Sequence, residues 1–153
     1  MGGVSQRVVL DTSVLVGGMD LGRDGWEAAV TAVTYAELEY GVSIPALEPA
    51  ERAIRQQRLN QIRTLFGPGL PFDDSAASSY GLITRFVLES GRQVRGCVPD
   101  LMIAAIAHAH GAALATNDKA DLVPLEPLVR IITPTIPATA NPESSVTEPA
   151  DPT

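Results

Sequence analysis

Short apolar runs alternate with longer segments of helical period along this chain of 153 residues. The runs at 7–10, 29–33, 70–72, 112–115 and 129–132 predict strands, and the branched side chains of the first predict burial on both faces. When strands and helices alternate in this way, the strands form a mostly parallel sheet and the helices cover it. The sequence therefore predicts an α/β fold.

The length and composition indicate a single cytoplasmic domain. A chain of this length can bury a substantial core, and no apolar run approaches the ~20 residues that a membrane-spanning helix needs. The first six residues are too few and too polar for a signal peptide. The single cysteine, Cys97, excludes a disulfide framework and a cysteine-rich metal site, and it fits a reducing compartment. We expect no association with a membrane.

The formal net charge of −7 does not exclude a nucleic-acid partner. Pro, Thr, Ala, Ser and Glu dominate the last stretch, which predicts a domain at 1–134 and a disordered tail at 135–153. Three acidic residues of that tail, Glu143, Glu148 and Asp151, account for −3, so −4 remains elsewhere. Ten of the eleven basic residues are Arg, the side chain best suited to bind phosphate.

Four acidic residues lie where predicted strands end or predicted helices begin. Asp11 and Asp118 follow strands, and Glu37 and Asp100 lie in the first turns of helices. Ligands of open α/β sheets bind beyond the carboxyl ends of the strands, so these four side chains could share one crevice. Three of these acids also have a structural explanation, because Asp11 and Asp100 suit helix N-termini and Glu37 fits a Thr-x-x-Glu capping box.

Four carboxylates in one crevice would require a cation, because like charges at short range repel and become protonated. Ligands that are all oxygen select a hard ion such as Mg²⁺ or Mn²⁺, which can activate a bound water as a nucleophile. No Cys/His zinc pattern, Walker loop or Gly-x-Ser-x-Gly elbow competes with this interpretation. His108 and His110 lie at the opposite end of their helix from Asp100, so we interpret them as packing or surface residues.

The longest predicted helix, 48–66, leaves two interpretations open for its arginines. Four of them lie outside its apolar stripe: Arg52, Arg55, Arg58 and Arg63. They form either a solvated face or a face that contacts phosphate. After this helix, Asp73 and Asp74 are interpreted as caps of the next one.

Four short motifs resemble, in order and spacing, the PIN-domain nucleases and among them the VapC toxins of bacterial toxin–antitoxin pairs. The motifs are Val-Val-Leu-Asp11-Thr-Ser, Thr34-Tyr-Ala-Glu37-Leu-Glu-Tyr-Gly, Pro99-Asp100-Leu-Met-Ile-Ala-Ala and Ala115-Thr116-Asn-Asp118-Lys-Ala-Asp121-Leu. The match extends over 7–134. It implies a PIN-like α/β/α sandwich with a central, mostly parallel sheet, and an Mg²⁺-dependent endoribonuclease in which Mn²⁺ can substitute.

The resemblance also implies roles for individual residues. It assigns four carboxylates to catalysis and metal binding: Asp11, Glu37, Asp100 and Asp118. It assigns supporting hydroxyl groups to three residues: Thr12, Ser13 and Thr116. Asp11 and Asp100 would hold the main metal ion. Glu37 and Asp118 would complete the site and position water. Asp121 is an alternative to Asp118, because relatives differ in which position carries the acid, and Val98 stands where some relatives have a further acid.

The function implied is that of a toxin that hydrolyses RNA phosphodiester bonds with a metal-activated water. Its partners would be the RNA substrate, a second copy in a homodimer and a cognate VapB-type antitoxin. One alternative is a phosphatase of the haloacid-dehalogenase type with Asp11 as nucleophile, but that chemistry needs a second Asp where Ser13 stands. The other is a degenerate PIN domain that acts as a binding module, although all four acids are present.

Overall fold

A computed structural model describes residues 5–17 and 26–134. Within these ranges the chain forms a four-stranded sheet in the order β2-β1-β3-β4, and every pairing is parallel. The strands are β1 (Gln6–Leu10), β2 (Trp26–Ala29), β3 (Ala113–Ala115) and β4 (Ile131–Ile132). The predicted α/β fold with a mostly parallel sheet is confirmed.

Helices connect the strands and cover both faces of the sheet. They are α1 (Thr12–Gly17), α2 (Ala32–Ser43), α3 (Pro49–Phe66), α4 (Asp74–Glu89), α5 (Val98–Ala109) and α6 (Lys119–Leu122), followed by a 3₁₀ turn (Val123–Leu125). Asp73 caps α4 as predicted, since its carboxylate accepts a hydrogen bond from the Ala76 N–H at 2.9 Å. No helix in the described ranges is long and apolar enough to cross a membrane.

The side chains of β1 alternate between two apolar cores. Val9 packs with Ile83 and Ile103 on the side of α4 and α5, whereas Val8 and Leu10 pack with residues of α2 and α3. All three strand residues are buried, which confirms the predicted burial on both faces. This two-sided packing gives the α/β/α sandwich and fixes β1 at its centre.

The boundary between β2 and α2 differs from the prediction. The strand predicted at 29–33 ends at Ala29, and Thr31 is the N-cap of α2, accepting a hydrogen bond from the Thr34 N–H at 3.0 Å. Of the two roles that the sequence left open for Glu37, the capping box does not form, because Glu37 lies one turn farther into the helix. A short apolar run has no period that locates where a strand becomes a buried helix start.

Two other expectations change or fall outside the structure. The strand predicted at 70–72 reduces to a single parallel bridge between Leu70 and Thr31. The predicted tail at 135–153 lies outside the described residues, so a domain boundary after residue 134 stays a prediction.

Candidate active site

The carboxyl ends of β1 and β3 lie side by side because the two strands pair in parallel, with Leu10 opposite Ala115. The Asp11 N–H continues this ladder and donates to the Ala115 carbonyl oxygen at 2.9 Å. The Thr116 N–H donates to Ile132 on the other side at 3.0 Å. The backbone thus places Asp11 and Thr116 next to each other at one edge of the sheet.

The protein orients the Asp11 carboxylate through one of its oxygens. Asp11 is only 3% exposed, and its Oδ2 accepts hydrogen bonds of 2.9 Å from both the Ser13 and the Thr116 hydroxyls. A buried charge needs such partners to offset the loss of its hydration. The other oxygen, Oδ1, accepts no hydrogen bond from the described residues, so it is available to a ligand.

Main-chain N–H groups contact the oxygens of both hydroxyl groups. The Asn117 N–H donates to Ser13 Oγ and the Asp118 N–H to Thr116 Oγ1, each at 3.0 Å. A hydroxyl has one proton, so a Ser or Thr oxygen that already accepts can donate that proton to Asp11. The loop after β3 therefore supports both hydroxyl partners of Asp11. Asn117, which also donates through its side chain to the Ser13 carbonyl at 3.1 Å, was not predicted, although it lies inside a recognised motif.

Glu37 reaches the same edge from α2. Its Oε2 accepts a hydrogen bond of 2.5 Å from the hydroxyl of Thr12, the first residue of α1. Because Thr31 caps α2, Glu37 has no capping role and is free to form this contact. The bond ties the start of α1 to the second turn of α2.

Asp100 lies in the first turn of α5 and is half-buried. Burial raises the pKa of its carboxyl from the ordinary 3.8 to about 6. Four other carboxylates contribute to the raised pKa, in decreasing order: Asp11, Glu37, Asp118 and Asp121. No described residue donates a hydrogen bond to Asp100, so its negative charge is not compensated by the protein.

The acids are near one another, but their side chains are not arranged to coordinate a metal ion together. In 5–17 and 26–134, no three Asp, Glu, His or Cys side chains are grouped closely enough to hold a metal ion. Like charges separate when nothing neutralises them, and Asp11 and Glu37 each turn one oxygen toward a hydroxyl. The donor set still fits a hard divalent cation, because it consists of carboxylate oxygens with uncompensated charge.

The two acids after β3 differ in how they are attached. Asp118 is the N-cap of α6 and its N–H is bound to Thr116, whereas Asp121 lies within α6; both are exposed. Asp118 has the larger effect on the pKa of Asp100. His108 is bound to Ser79 of α4 at 2.8 Å, at the opposite end of α5, in agreement with its interpretation as a packing residue.

These features agree with comparisons to known proteins. Residues 8–122 match the model of the PIN domain family. The chain is 33% identical over 118 residues to ribonuclease VapC4 of Mycobacterium tuberculosis (strain ATCC 25618 / H37Rv), and the match covers 74% of this chain and 87% of that protein.

Two solved structures are also similar to this chain in fold and sequence. The structure of VapBC-5, a member of the VapBC family of toxin–antitoxin systems from Mycobacterium tuberculosis, has a TM-score of 0.70 and 33% identity, and the match covers 85% of this chain and 98% of that one. FitAcB from Neisseria gonorrhoeae has a TM-score of 0.64 and 27% identity, with coverages of 82% and 96%.

Proposed function

This chain belongs to the PIN domain family, and from that premise we propose that it is an Mg²⁺-dependent endoribonuclease and the toxin of a toxin–antitoxin pair. The observation that carries the proposal is the group of acids around Asp100, whose raised pKa reflects burial and four neighbouring carboxylates. The similarity to a ribonuclease and to a VapBC toxin–antitoxin system supports the substrate and the biological role.

We assign Asp11 and Asp100 to hold the main cation, and Glu37 and Asp118 to complete the site, with Asp121 as the alternative fourth acid. When bound, Mg²⁺, or Mn²⁺ in its place, supplies positive charge to the phosphoryl oxygens and lowers the pKa of a coordinated water.

The chain's own residues prepare this site in two ways. Ser13 and Thr116 fix the orientation of the Asp11 carboxylate, and Thr12 holds Glu37 toward the same edge. A carboxylate that does not hold the cation, Glu37 or Asp118, can accept a proton from the attacking water.

The partners follow from the same premise. We propose a VapB-type antitoxin, a homodimer and a cytoplasmic location, where the RNA substrate is found. Large apolar side chains exposed on α2, α3 and α4 offer surface for such contacts: Tyr40, Ile54, Leu65, Leu82 and Leu88. Light scattering coupled to size-exclusion chromatography, with and without the antitoxin, measures both assemblies.

Metal dependence is the direct test of the nuclease function. The purified protein should cleave RNA in Mg²⁺, lose cleavage in EDTA and regain it when Mg²⁺ or Mn²⁺ is added in excess. Undiminished cleavage in EDTA would contradict the metal assignment, and the absence of cleavage with either ion would favour the degenerate binding module. A haloacid-dehalogenase phosphatase is not supported, because Ser13 stands at its second Asp position and donates to Asp11.

A further inference from the structure

A cavity of about 500 Å³ opens beside Asp100. One wall is the loop between α4 and α5, with Arg92, Gln93 and Arg95, and the other includes Asp121. Its remaining lining is largely apolar: Val87, Leu101, Leu122 and Leu125. The volume lies within the range of about 300–1,000 Å³ that is typical of sites for small ligands. We call it the arginine-lined cavity.

The two guanidinium groups of this cavity are not neutralised by any of the residues that the structure describes. Arg92 Nη1 donates to the main-chain oxygen of Asp121 at 3.2 Å, which joins the two walls. Among the described residues neither Arg92 nor Arg95 forms an ion pair, although Asp100 and Asp121 line the same cavity. A planar guanidinium without a carboxylate partner is suited to bind a phosphate through two parallel hydrogen bonds.

The arginines of α3 are used differently. Arg52 and Arg55 donate to main-chain oxygens near the C-terminal end of α2, and Arg63 pairs with Glu39 at 2.8 Å. These three residues connect α2 to α3. The two interpretations left open by the sequence, a solvated face and a face that contacts phosphate, therefore do not describe them fully. Of the four, Arg58 forms no ion pair or hydrogen bond with the described residues.

Two other cavities lack this combination of features. A cavity of about 240 Å³ at the amino end of β1 contains Arg7, but Arg7 is within 3.9 Å of Glu27. A broad groove along α3 is lined by uncharged side chains. The arginine-lined cavity differs from both in combining unpaired cations, an apolar lining and direct contact with Asp100.

We propose that the arginine-lined cavity binds the nucleotide of single-stranded RNA that is next to the scissile phosphodiester. This inference rests on the proposed nuclease function and adds positioning residues to it. Arg92 and Arg95 bind a phosphate of that nucleotide, and the Gln93 amide can bond the edge of its base. Asp100 borders both sites, so a strand held at the acids continues directly into the cavity. The base must be unstacked to enter, which favours single strands over duplex.

Steady-state cleavage of a short single-stranded RNA tests the proposal. The variants are Arg92→Gln, Arg95→Gln and the double variant, with Arg130→Gln as a matched control. Arg130 is exposed, forms no ion pair in the described part of the chain and precedes β4, at the end of the sheet opposite the acids. The double variant should raise KM about tenfold with little change in kcat, because charge-assisted contacts to substrate are lost. Its binding should depend less steeply on salt, by about 0.7 in slope per lost contact.

The Arg95→Gln variant is the most informative one, because Arg95 forms no hydrogen bond or ion pair with the described residues, so the melting temperature of this variant should equal that of the parent. If the parent cleaves RNA and both Arg95→Gln and the double variant have the KM of Arg130→Gln, the cavity proposal is wrong while the nuclease function stands. If the parent binds RNA without cleaving it and Arg95→Gln weakens that binding, the cavity is an RNA-binding site, but the nuclease function and the position next to a scissile phosphodiester are wrong. An unchanged KM with weaker antitoxin binding would identify the cavity as a protein site and overturn the proposal.

Discussion

Asp11 and Asp100 lie at the same end of the sheet and are held in opposite ways. Asp11 extends a central strand and accepts two hydroxyl hydrogen bonds, each supported by a main-chain N–H. Asp100 lies on a helix turn, accepts no hydrogen bond from the described residues and has a pKa raised to about 6. The strand end therefore supplies an acid that is rigid and already stabilised. The helix end supplies a charge that must be compensated from outside, which is a cost in stability that a bound cation removes.

Asp11→Asn should cause the largest loss of activity. The change keeps the size of the side chain and an oxygen for the Ser13 and Thr116 hydroxyls, but it removes a charged ligand. We expect kcat/KM for RNA cleavage to fall more than about 100-fold, while circular dichroism shows a folded protein. Asp74→Asn, at an exposed acid of α4, is the matched control and should leave cleavage unchanged. If the Asp11→Asn variant cleaved RNA as fast as the parent, the metal-site assignment would be refuted.

Asp100→Asn should also lower cleavage strongly, though less than Asp11→Asn, and it should stabilise the metal-free protein. An Asp whose pKa is raised by folding does not lower the stability of the folded protein below about pH 4, where it is protonated in both states. The loss of stability grows as the pH rises and levels off above about pH 6. Because Asp100 is half exposed, we expect Asp100→Asn to raise the free energy of unfolding by only about 1 kcal/mol at pH 7. This corresponds to a rise of about 3 °C in melting temperature. Thermal melts in EDTA at pH 5 and pH 7.5 measure this difference, which should shrink toward zero as the pH is lowered.

Asp11→Asn is the control for that second prediction, because Asp11 is already stabilised by the hydroxyls and should gain no comparable stability. Added Mg²⁺ should raise the melting temperature of the parent and not that of Asp100→Asn. If both Asn variants were stabilised equally in EDTA, the contrast between the two acids would be unfounded.

The sequence predicts the site residues at the end of β1 better than the contacts that more distant segments make with them. An apolar run that stops at Asp11-Thr12-Ser13 marks both the strand and the hydroxyls that follow it. The sequence left a capping role open for Glu37 that the structure excludes, because Thr31 caps α2 and the partner of Glu37, Thr12, lies 25 residues earlier in the chain. The arginine-lined cavity left no local signal, because its two walls come from segments that are far apart in the sequence, at 92–96 and 121–125.

The smallest expected effect separates Asp118 from Asp121. Asp118 is tied to the Asp11 network through its N–H bond to Thr116 and has the larger effect on Asp100, whereas Asp121 is exposed within a single helical turn. Asp118→Ala should therefore lower cleavage about tenfold, partly restored by high Mg²⁺ or Mn²⁺, and Asp121→Ala should lower it less. The Asp118 carboxylate forms no cap hydrogen bond, so its loss does not remove a cap from α6. Titration of the cleavage rate with metal, for both variants and the parent, decides between them. A larger loss and a higher metal requirement for Asp121→Ala would mean that the helix of the loop, rather than the strand end, provides the fourth acid.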